Sequence, residues 1–339
     1  MINDPQSVRD VVEVINKFGL GTVFVTDANG ALQATVTDGD VRRALLAGHG
    51  LDSPARTAFN TEFLALEEGS DEAQTTAQGA FRGFSEYPVV DSDGHLVCVE
   101  VLGHRGKSVS RDNTVVIMVG GKGMRLRPLT EETPKPLLLV GDKPILQHII
   151  DNLRDEGFSD IVLAVNYLGE QIESYFQDGS NFGVRIRYVR EDRALGTAGA
   201  LSLLQEPISS PIVVLNGDLV LSASVGRMVD YHVQKQATIT VGAKVVETTI
   251  PFGVLSTRGL VIDGIEEKPT HRDLVNAGVY VLNAEAFESL SANQVTDMPE
   301  LILKNVDEGK VVAYPMHETW ADLGHPSDLS RAQDLMGGK

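Results

Sequence analysis

The chain has 339 residues, 42% of them hydrophobic and 22% charged, with 29 Lys+Arg against 47 Asp+Glu and a net charge of −18. That composition is globular rather than disordered or fibrous. Single cores rarely grow past roughly 250–300 residues, so two domains are expected. A chain this acidic lacks the basic footprint that DNA, RNA or an anionic membrane surface requires, so neither nucleic acid nor membrane is expected as a partner.

One cysteine, Cys98, leaves no intramolecular disulfide and no thiolate metal cluster, as suits a reducing compartment. Residues 1–20 carry Asp4, Asp10 and Glu13 without a basic start or an apolar run, so no signal peptide is expected there. Apolar runs such as Val115–Val119 are strand-sized, far below the roughly 18 residues of a membrane span. The expectation is a cytoplasmic protein.

Residues 1–107 contain an internal repeat. Val25-Thr26-Asp27-x-x-Gly30-x-Leu32 returns 64 residues later as Val89-Val90-Asp91-x-x-Gly94-x-Leu96. Helix-like stretches, Ser7–Phe18 and Asp71–Phe81, precede the two copies. Each copy predicts helix, strand, glycine turn and strand. A unit that small cannot bury its own apolar face, so the copies should pack together as a small α+β unit. The pattern resembles a pair of cystathionine-β-synthase-type (CBS) repeats, a regulatory module. In that family a Thr-x-x-Asp element after the first repeat's strand can hold the ribose of an adenosyl ligand. Thr37 and Asp40 stand there, whereas the offset positions are Val101 and His104. The resemblance therefore implies one regulatory nucleotide site at most. A packing and dimerisation module without a ligand is the other reading.

Gly103–Asn113 is rich in glycine, serine and charge, a linker composition. It separates residues 1–107 from 114–339, with 108–113 as the connection. Beyond it the pattern alternates. Val115–Val119, Ile161–Val165 and Ile212–Leu215 predict buried strands. Ile145, Leu146, Ile149, Ile150 and Leu153 share one helical face, with Gly157 at the C-terminal cap. Such alternation predicts an α/β fold, a doubly wound, mostly parallel, Rossmann-like sheet with ligands beyond the carboxyl ends of its strands.

The first strand runs into Gly120-Gly121-Lys122-Gly123-Met124-Arg125-Leu126-Arg127-Pro128-Leu129-Thr130, then Pro134-Lys135-Pro136. Glycines after a buried strand can point backbone N–H groups at an anion. A P-loop or a dinucleotide fingerprint needs the glycines to open a helix, which Pro128 prevents. Lys122, Arg125, Arg127 and Lys135 on this loop point to a local polyanion site. The run resembles the signature of the sugar nucleotidyltransferase family, and the resemblance covers roughly residues 113–335. Val119 stands where alanine is usual, and Met124 where threonine or serine is usual.

That resemblance implies that Gly120, Gly121 and Gly123 cradle a nucleoside triphosphate, Arg125 holds the departing pyrophosphate and Lys135 contacts the α-phosphate. It also implies Mg²⁺ on Asp218, in Asn216-Gly217-Asp218, and on Asp322, in Trp320-Ala321-Asp322. Two carboxylates with phosphate oxygens suit that ion. Gly253, Glu267, Lys268 and Asn276 match motifs that bind the sugar 1-phosphate, with Glu267 and Asn276 on hydroxyls and Lys268 on its phosphate. His148, His317 and His325 have no ligand spacing. Residues 191–199 resemble the base-recognition stretch, with Glu191, Gly196 and Thr197 as nucleotide contacts. Relatives that use UTP or dTTP carry glutamine at the position of Glu191. A carboxylate can only accept, and guanine offers two adjacent donors, so GTP is expected. The fusion with Glu191 is similar to guanylyltransferases that activate glucosamine 1-phosphate for legionaminic-acid-type surface sugars. A UTP- or dTTP-dependent enzyme, or a catalytically silent nucleotide sensor, is the alternative. Near the end, Asp297 and Glu300 are spaced as a capping box. A homo-oligomer is expected.

Overall fold

The computed structural model describes residues 2–3, 5–18, 21–67, 86–101, 110–204, 211–221, 223–291, 294–306, 309–316, 318, 320–324 and 328, and at residues 16–18, 100, 101 and 322 the backbone alone. The chain divides into two compact units, residues 1–107 and 108–339. Among the described residues no helix is long and apolar enough to cross a membrane.

The first unit repeats in space what it repeats in sequence. Its first copy comprises β1 (Ile2–Asn3), α1 (Val8–Phe18), β2 (Thr22–Thr26), β3 (Leu32–Thr37) and α2 (Asp38–Leu46). β1 lies parallel to β2, which pairs antiparallel with β3. β4 (Leu66–Glu67), β5 (Glu86–Val90) and β6 (Leu96–Val101) reproduce that order and those directions. Even the irregularity recurs, at Val25/Thr26 and at Val89/Val90. In each turn an aspartate accepts two backbone N–H groups: Asp27 from Asn29 and Ala31, Asp91 from Asp93 and His95. The turns then clasp each other, with Leu32 N–H on Gly94 O (3.0 Å) and Leu96 N–H on Gly30 O (3.1 Å). Asp71–Phe81 and His104 lie outside the described residues.

In the second unit the alternation becomes β7 (Val115–Met118), two short strands β8 (Leu139–Val140) and β9 (Lys143–Pro144), α3 (Ile145–Asp155), β10 (Asp160–Val165), α4 (Gly169–Phe176) and β11 (Arg185–Arg190). There follow α5 (Gly196–Gly199), β12 (Ile212–Asn216), β13 (Leu219–Leu221), α6 (Val225–Lys235) and β14 (Ile239–Thr249). A ribbon, β15 (Gly253–Arg258) with β16 (Val261–Glu267), precedes β17 (Thr270–Leu282), α7 (Met298–Asn305), β18 (Val311–Met316) and β19 (Trp320–Asp322). The main sheet has the order β11-β10-β7-β12-β17-β14-β18. Six of its strands run one way and β17 runs antiparallel to both neighbours, so the sheet is mixed rather than simply parallel.

Alternate residues of β7 serve opposite faces of the sheet. Val115 and Ile117 pack with Ile145, Leu146, Ile150 and Leu153 of α3 and with Ile172, Phe176, Met228 and Val229 of α4 and α6. Val116 packs on the other side with Ala198, Leu201, Met298 and Leu301. From β7 the chain moves outward to β10 and β11, then returns to β12 on the opposite flank. The carboxyl ends of β7 and β12 therefore flank the topological switch point, where open α/β sheets bind ligands.

The expected capping box at α7 does not form, because the Asp297 side chain makes no cap hydrogen bond. Instead Asp297 accepts the Thr197 N–H (3.0 Å), and the Thr197 hydroxyl accepts the Met298 N–H (2.7 Å). Gly196, at φ 80°, turns α5 against residues 296–297, closer than a side chain there would permit.

Candidate active site

A cavity of about 260 Å³ opens at that switch point, lined by Val119, Gly121, Gly123, Arg125, Lys135 and Asp218 among others. The loop after β7 owes its shape to internal contacts. Gly123 adopts φ 59°, and a Cβ there would fall 2.9 Å from Thr130 Cγ2. Thr130 is 1% exposed, and its hydroxyl donates to Gly123 O at 2.8 Å. That bond pins the glycine turn, a role the sequence reading did not assign to Thr130.

The four cations of the loop divide. Lys135 turns inward, its side chain 12% exposed, and pairs with Asp218 at 2.5 Å (Nζ to Oδ2). Arg125 lines the cavity from an exposed position, whereas Lys122 and Arg127 are exposed and do not line it. The second Asp218 oxygen, Oδ1, is buried with no hydrogen-bond partner. A hard divalent cation takes carboxylate oxygens as ligands, so this orphaned atom fits one. β13 pairs with β19 in a register that sets Leu219 opposite Asp322, and Leu323 N–H donates to Asp218 O (3.1 Å). The Asp322 backbone thus runs beside Asp218, while its side chain lies outside the described atoms. His317 and His325 also lie outside the described residues, and His148 serves the fold through Val140 O.

At the neighbouring strand ends, Gly120, Asn166 and Glu191 converge. Glu191 N–H donates to Val165 O (3.0 Å), continuing the β10–β11 pairing. Asn166 Nδ2 donates to Glu191 O at 2.7 Å. A Cβ on Gly120 would meet Glu191 Oε2 at 2.7 Å and Asn166 Cβ at 2.9 Å, so only glycine fits. Glu191 Oε1 accepts the Leu195 N–H (3.1 Å). Burial pushes the Glu191 carboxyl above its ordinary pKa, and the Leu195 hydrogen bond partly offsets this. Asn166 carries no motif in the sequence; its position, one residue past β10, was the available signal.

Asn276 sits beside the end of β12. Its Oδ1 accepts the Gly278 N–H (3.0 Å), Gly278 abuts Asn216, and Trp320 Nε1 donates to Ala277 O (2.9 Å). Lys244 adds a tie to the acid-bearing segment, its Nζ donating to Glu318 O at 2.7 Å, and burial lowers its pKa. Gly253, Glu267 and Lys268 lie elsewhere. Gly253 pairs with Glu267 in the ribbon, Lys268 follows at φ 49°, all three are exposed, and none lines the cavity. About 20 Å of strand separates Thr270 from Asn276, at about 3.3 Å per residue.

In the first unit Thr37 and Asp40 form a capping box at α2. Thr37 Oγ1 accepts the Asp40 N–H (3.2 Å), Asp40 Oδ2 accepts the Thr37 N–H (2.7 Å), and Oδ1 pairs with Arg43. A separate cavity of about 400 Å³ is lined by Asp40, Arg43, His49, Phe59 and Asn60 among others.

The Nucleotidyl transferase family model matches residues 114–337. The chain is 34% identical over 224 residues to the mannose-1-phosphate guanyltransferase of Saccharomyces cerevisiae, covering 63% of this chain and 62% of that protein. It is 33% identical over 242 residues to the UTP–glucose-1-phosphate uridylyltransferase of Synechocystis, covering 64% and 61%. The chain thus spans about three-fifths of the length of these relatives. Among solved structures it is similar to a Bacillus anthracis protein in complex with sucrose, provisionally assigned as a glucose-1-phosphate thymidylyltransferase. The TM-score is 0.54 at 26% identity, over 67% of this chain and 96% of that one. HddC from Yersinia pseudotuberculosis shares the fold, with a TM-score of 0.53 at 22% identity over 66% and 99%.

Proposed function

The chain belongs to the nucleotidyl transferase family, and from that premise we propose that it transfers a nucleotidyl group, guanylyl from GTP, to a sugar 1-phosphate. A phosphate oxygen of the sugar 1-phosphate forms a bond to the α-phosphorus, the bond from that phosphorus to the bridging oxygen breaks, and pyrophosphate leaves. Such transfer asks the protein mainly for positioning and charge neutralisation. The observation that carries the reading is the cavity at the switch point, where Lys135 and Asp218 meet under a glycine loop.

In this scheme Gly120, Gly121 and Gly123 hold the triphosphate and Arg125 receives the pyrophosphate end. Lys135 meets the α-phosphate. Asp218, with Asp322, would hold Mg²⁺, which when bound neutralises charge on the phosphate oxygens. The Lys135 ammonium has three donors, so its bond to Asp218 leaves it able to donate to a phosphate oxygen as well. Asn276 binds sugar hydroxyls beside the end of β12. Glu267 and Lys268 take part once the ribbon approaches the cavity.

The relatives include both guanyl and uridylyl enzymes. Base choice therefore rests on Glu191, whose Oε2 stands over Gly120 at the rim of the triphosphate cradle. Glucosamine 1-phosphate is the first sugar to try, with mannose and glucose 1-phosphates beside it. Pyrophosphate release with Mg²⁺ and a panel of GTP, UTP, dTTP, CTP and ATP tests the reading. GTP is expected to give the highest kcat/KM. A preference for UTP or dTTP overturns the guanylyl assignment, and no release with any pair favours a nucleotide sensor.

Residues 1–107 are read as a CBS pair that regulates this activity. Asp40, its ion-pair partner Arg43, His49 and Asn60 line the neighbouring cavity where a nucleotide would be met, with Thr37 at the α2 cap beside Asp40. Thermal shift of the full chain with AMP, ATP and S-adenosylmethionine tests for such a ligand; no shift with any of them leaves the pair as a packing module.

A further inference from the structure

Three strand ends meet where the nucleotide is proposed to lie, and a single side chain touches the other two. Asn166 follows β10, between the exits of β7 and β11 in the sheet order. On one side its Cβ lies 2.9 Å from the position a Gly120 Cβ would take, and Tyr167 N–H reaches Gly120 O (3.5 Å). On the other side its amide donates to the Glu191 carbonyl at 2.7 Å. The loop that would hold phosphate and the residue that would read the base are thus spaced by Asn166. Glu191 itself has no ion pair among the described residues; its one side-chain bond is to the Leu195 N–H. Among the described residues no hydrogen bond or ion pair ties the Glu191 side chain to the glycine loop.

We propose that Asn166 is a positioning residue for nucleobase selectivity, holding Glu191 at a set distance from the phosphate cradle. The proposal rests on reading Glu191 as the group that meets the base. A triphosphate anchored at Gly120–Gly123 brings its base to one place. A carboxylate displaced by about 1 Å from that place loses directional hydrogen bonding to the base edge but not the charge interactions with phosphate. The effect of losing Asn166 is therefore a fall in discrimination more than a fall in nucleotide binding as such.

The test uses the full chain and equilibrium Kd values for GTP and UTP from calorimetry, without sugar 1-phosphate, so that it does not depend on turnover. The ratio of the two Kd values is compared in wild type, Asn166→Ala, Asn166→Asp, Glu191→Ala and the Asn166→Ala/Glu191→Ala pair. Asn166→Ala is expected to shrink the ratio at least tenfold while weakening the disfavoured nucleotide less than threefold. Asn166→Asp keeps the size but sets an acceptor against the Glu191 carbonyl, and should lose selectivity as fully. Should the alanine variant fail to fold, the aspartate variant carries the test. In the Glu191→Ala background, Asn166→Ala should change the ratio no further, the signature of action through one group. An unchanged ratio in either single variant, or additive losses in the pair, overturns the proposal. A wild-type preference for UTP overturns the guanylyl reading alone, because the same ratio still measures Asn166. A ratio that Glu191→Ala does not move overturns both the role of Asn166 and the base-reading role of Glu191.

Discussion

The ends of β7, β11 and β12 and the ribbon of β15 and β16 all carry family-like motifs in the sequence, but the fold treats them differently. At the strand ends Lys135 and Asp218 are paired, Thr130 is buried under the glycine turn, and Glu191 stands against Gly120. On the ribbon Leu255, Ile262 and Ile265 are 50%, 58% and 68% exposed, and Glu267 and Lys268 are exposed with them. The residues proposed to meet the nucleotide are held by contacts with the core and with one another. Of the residues proposed for the sugar 1-phosphate, Asn276 sits beside the end of β12, while Gly253, Glu267 and Lys268 lie on the exposed ribbon. Groups held by packing lose less conformational freedom on binding than exposed side chains do, so the two sets should respond differently to substitution.

Substitutions can break or sharpen this contrast. The largest effect is expected at the assembled end. Lys135→Met keeps an unbranched stem without the ammonium and should lower kcat about 10²–10³-fold, as does loss of one charge-stabilising donor elsewhere. Pyrophosphate release measures it, and a loss under tenfold would remove Lys135 from the α-phosphate. On the ribbon, Glu267→Ala should raise KM for the sugar 1-phosphate about tenfold, about 1.4 kcal/mol. The melting temperature should stay put, because the side chain is exposed. A clear drop in melting temperature would mean that the ribbon is part of the packed structure after all.

Thr130→Val tests the cradle from within. It removes the hydroxyl bond to Gly123 O, which keeps only the Leu126 N–H (2.9 Å), at a cost of about 0.5–1.5 kcal/mol in urea unfolding. The smallest effect concerns pH. Burial holds the Glu191 carboxyl above its ordinary value, so between the unfolded and folded pKa values the native state binds the extra proton. Stability accordingly falls as pH rises through that window, and above it the ionised carboxylate is a standing cost. Glu191→Gln should therefore melt above wild type at pH 7, with the difference shrinking as pH falls towards about 4. A difference that grows on acidification would contradict this. The same substitution should move base preference towards UTP or dTTP, trading specificity for stability.

Much of the fold was legible because its signals are local. The run Val115–Val119 is β-branched and apolar and ends in glycines, and it is a strand up to Met118. Ile145 through Leu153 keep helical spacing, and the helix Ile145–Asp155 buries those five residues. The 64-residue repeat led to the expectation that the two copies pack together, and their glycine turns do hydrogen-bond to each other. Where reading failed, a distant partner had taken over a local role. Asp297 had the spacing to cap α7, yet its carboxylate went to Thr197, 100 residues away, and the Thr197 hydroxyl took its place at the helix. Thr37 and Asp40 are a different case: they form the capping box of α2, and Asp40 also lines the cavity where a ligand is proposed. Four loop cations suggested one polyanion site, but exposure leaves Lys122 and Arg127 outside the cavity.

Composition and spacing by themselves determined a two-part acidic chain, an alternating α/β second part and a glycine loop that closes a strand. Those features depend on neighbours within one or two turns of chain, and such neighbours are written in order. Tertiary structure alone decided that β17 reverses, that Lys135 meets an aspartate 83 residues on, and that Asn166 lies between Gly120 and Glu191. The last two follow from the strand order β11-β10-β7-β12, and the whole arrangement is selected by burying both faces of the sheet at once. No short segment carries that choice, because it is the whole core that makes it.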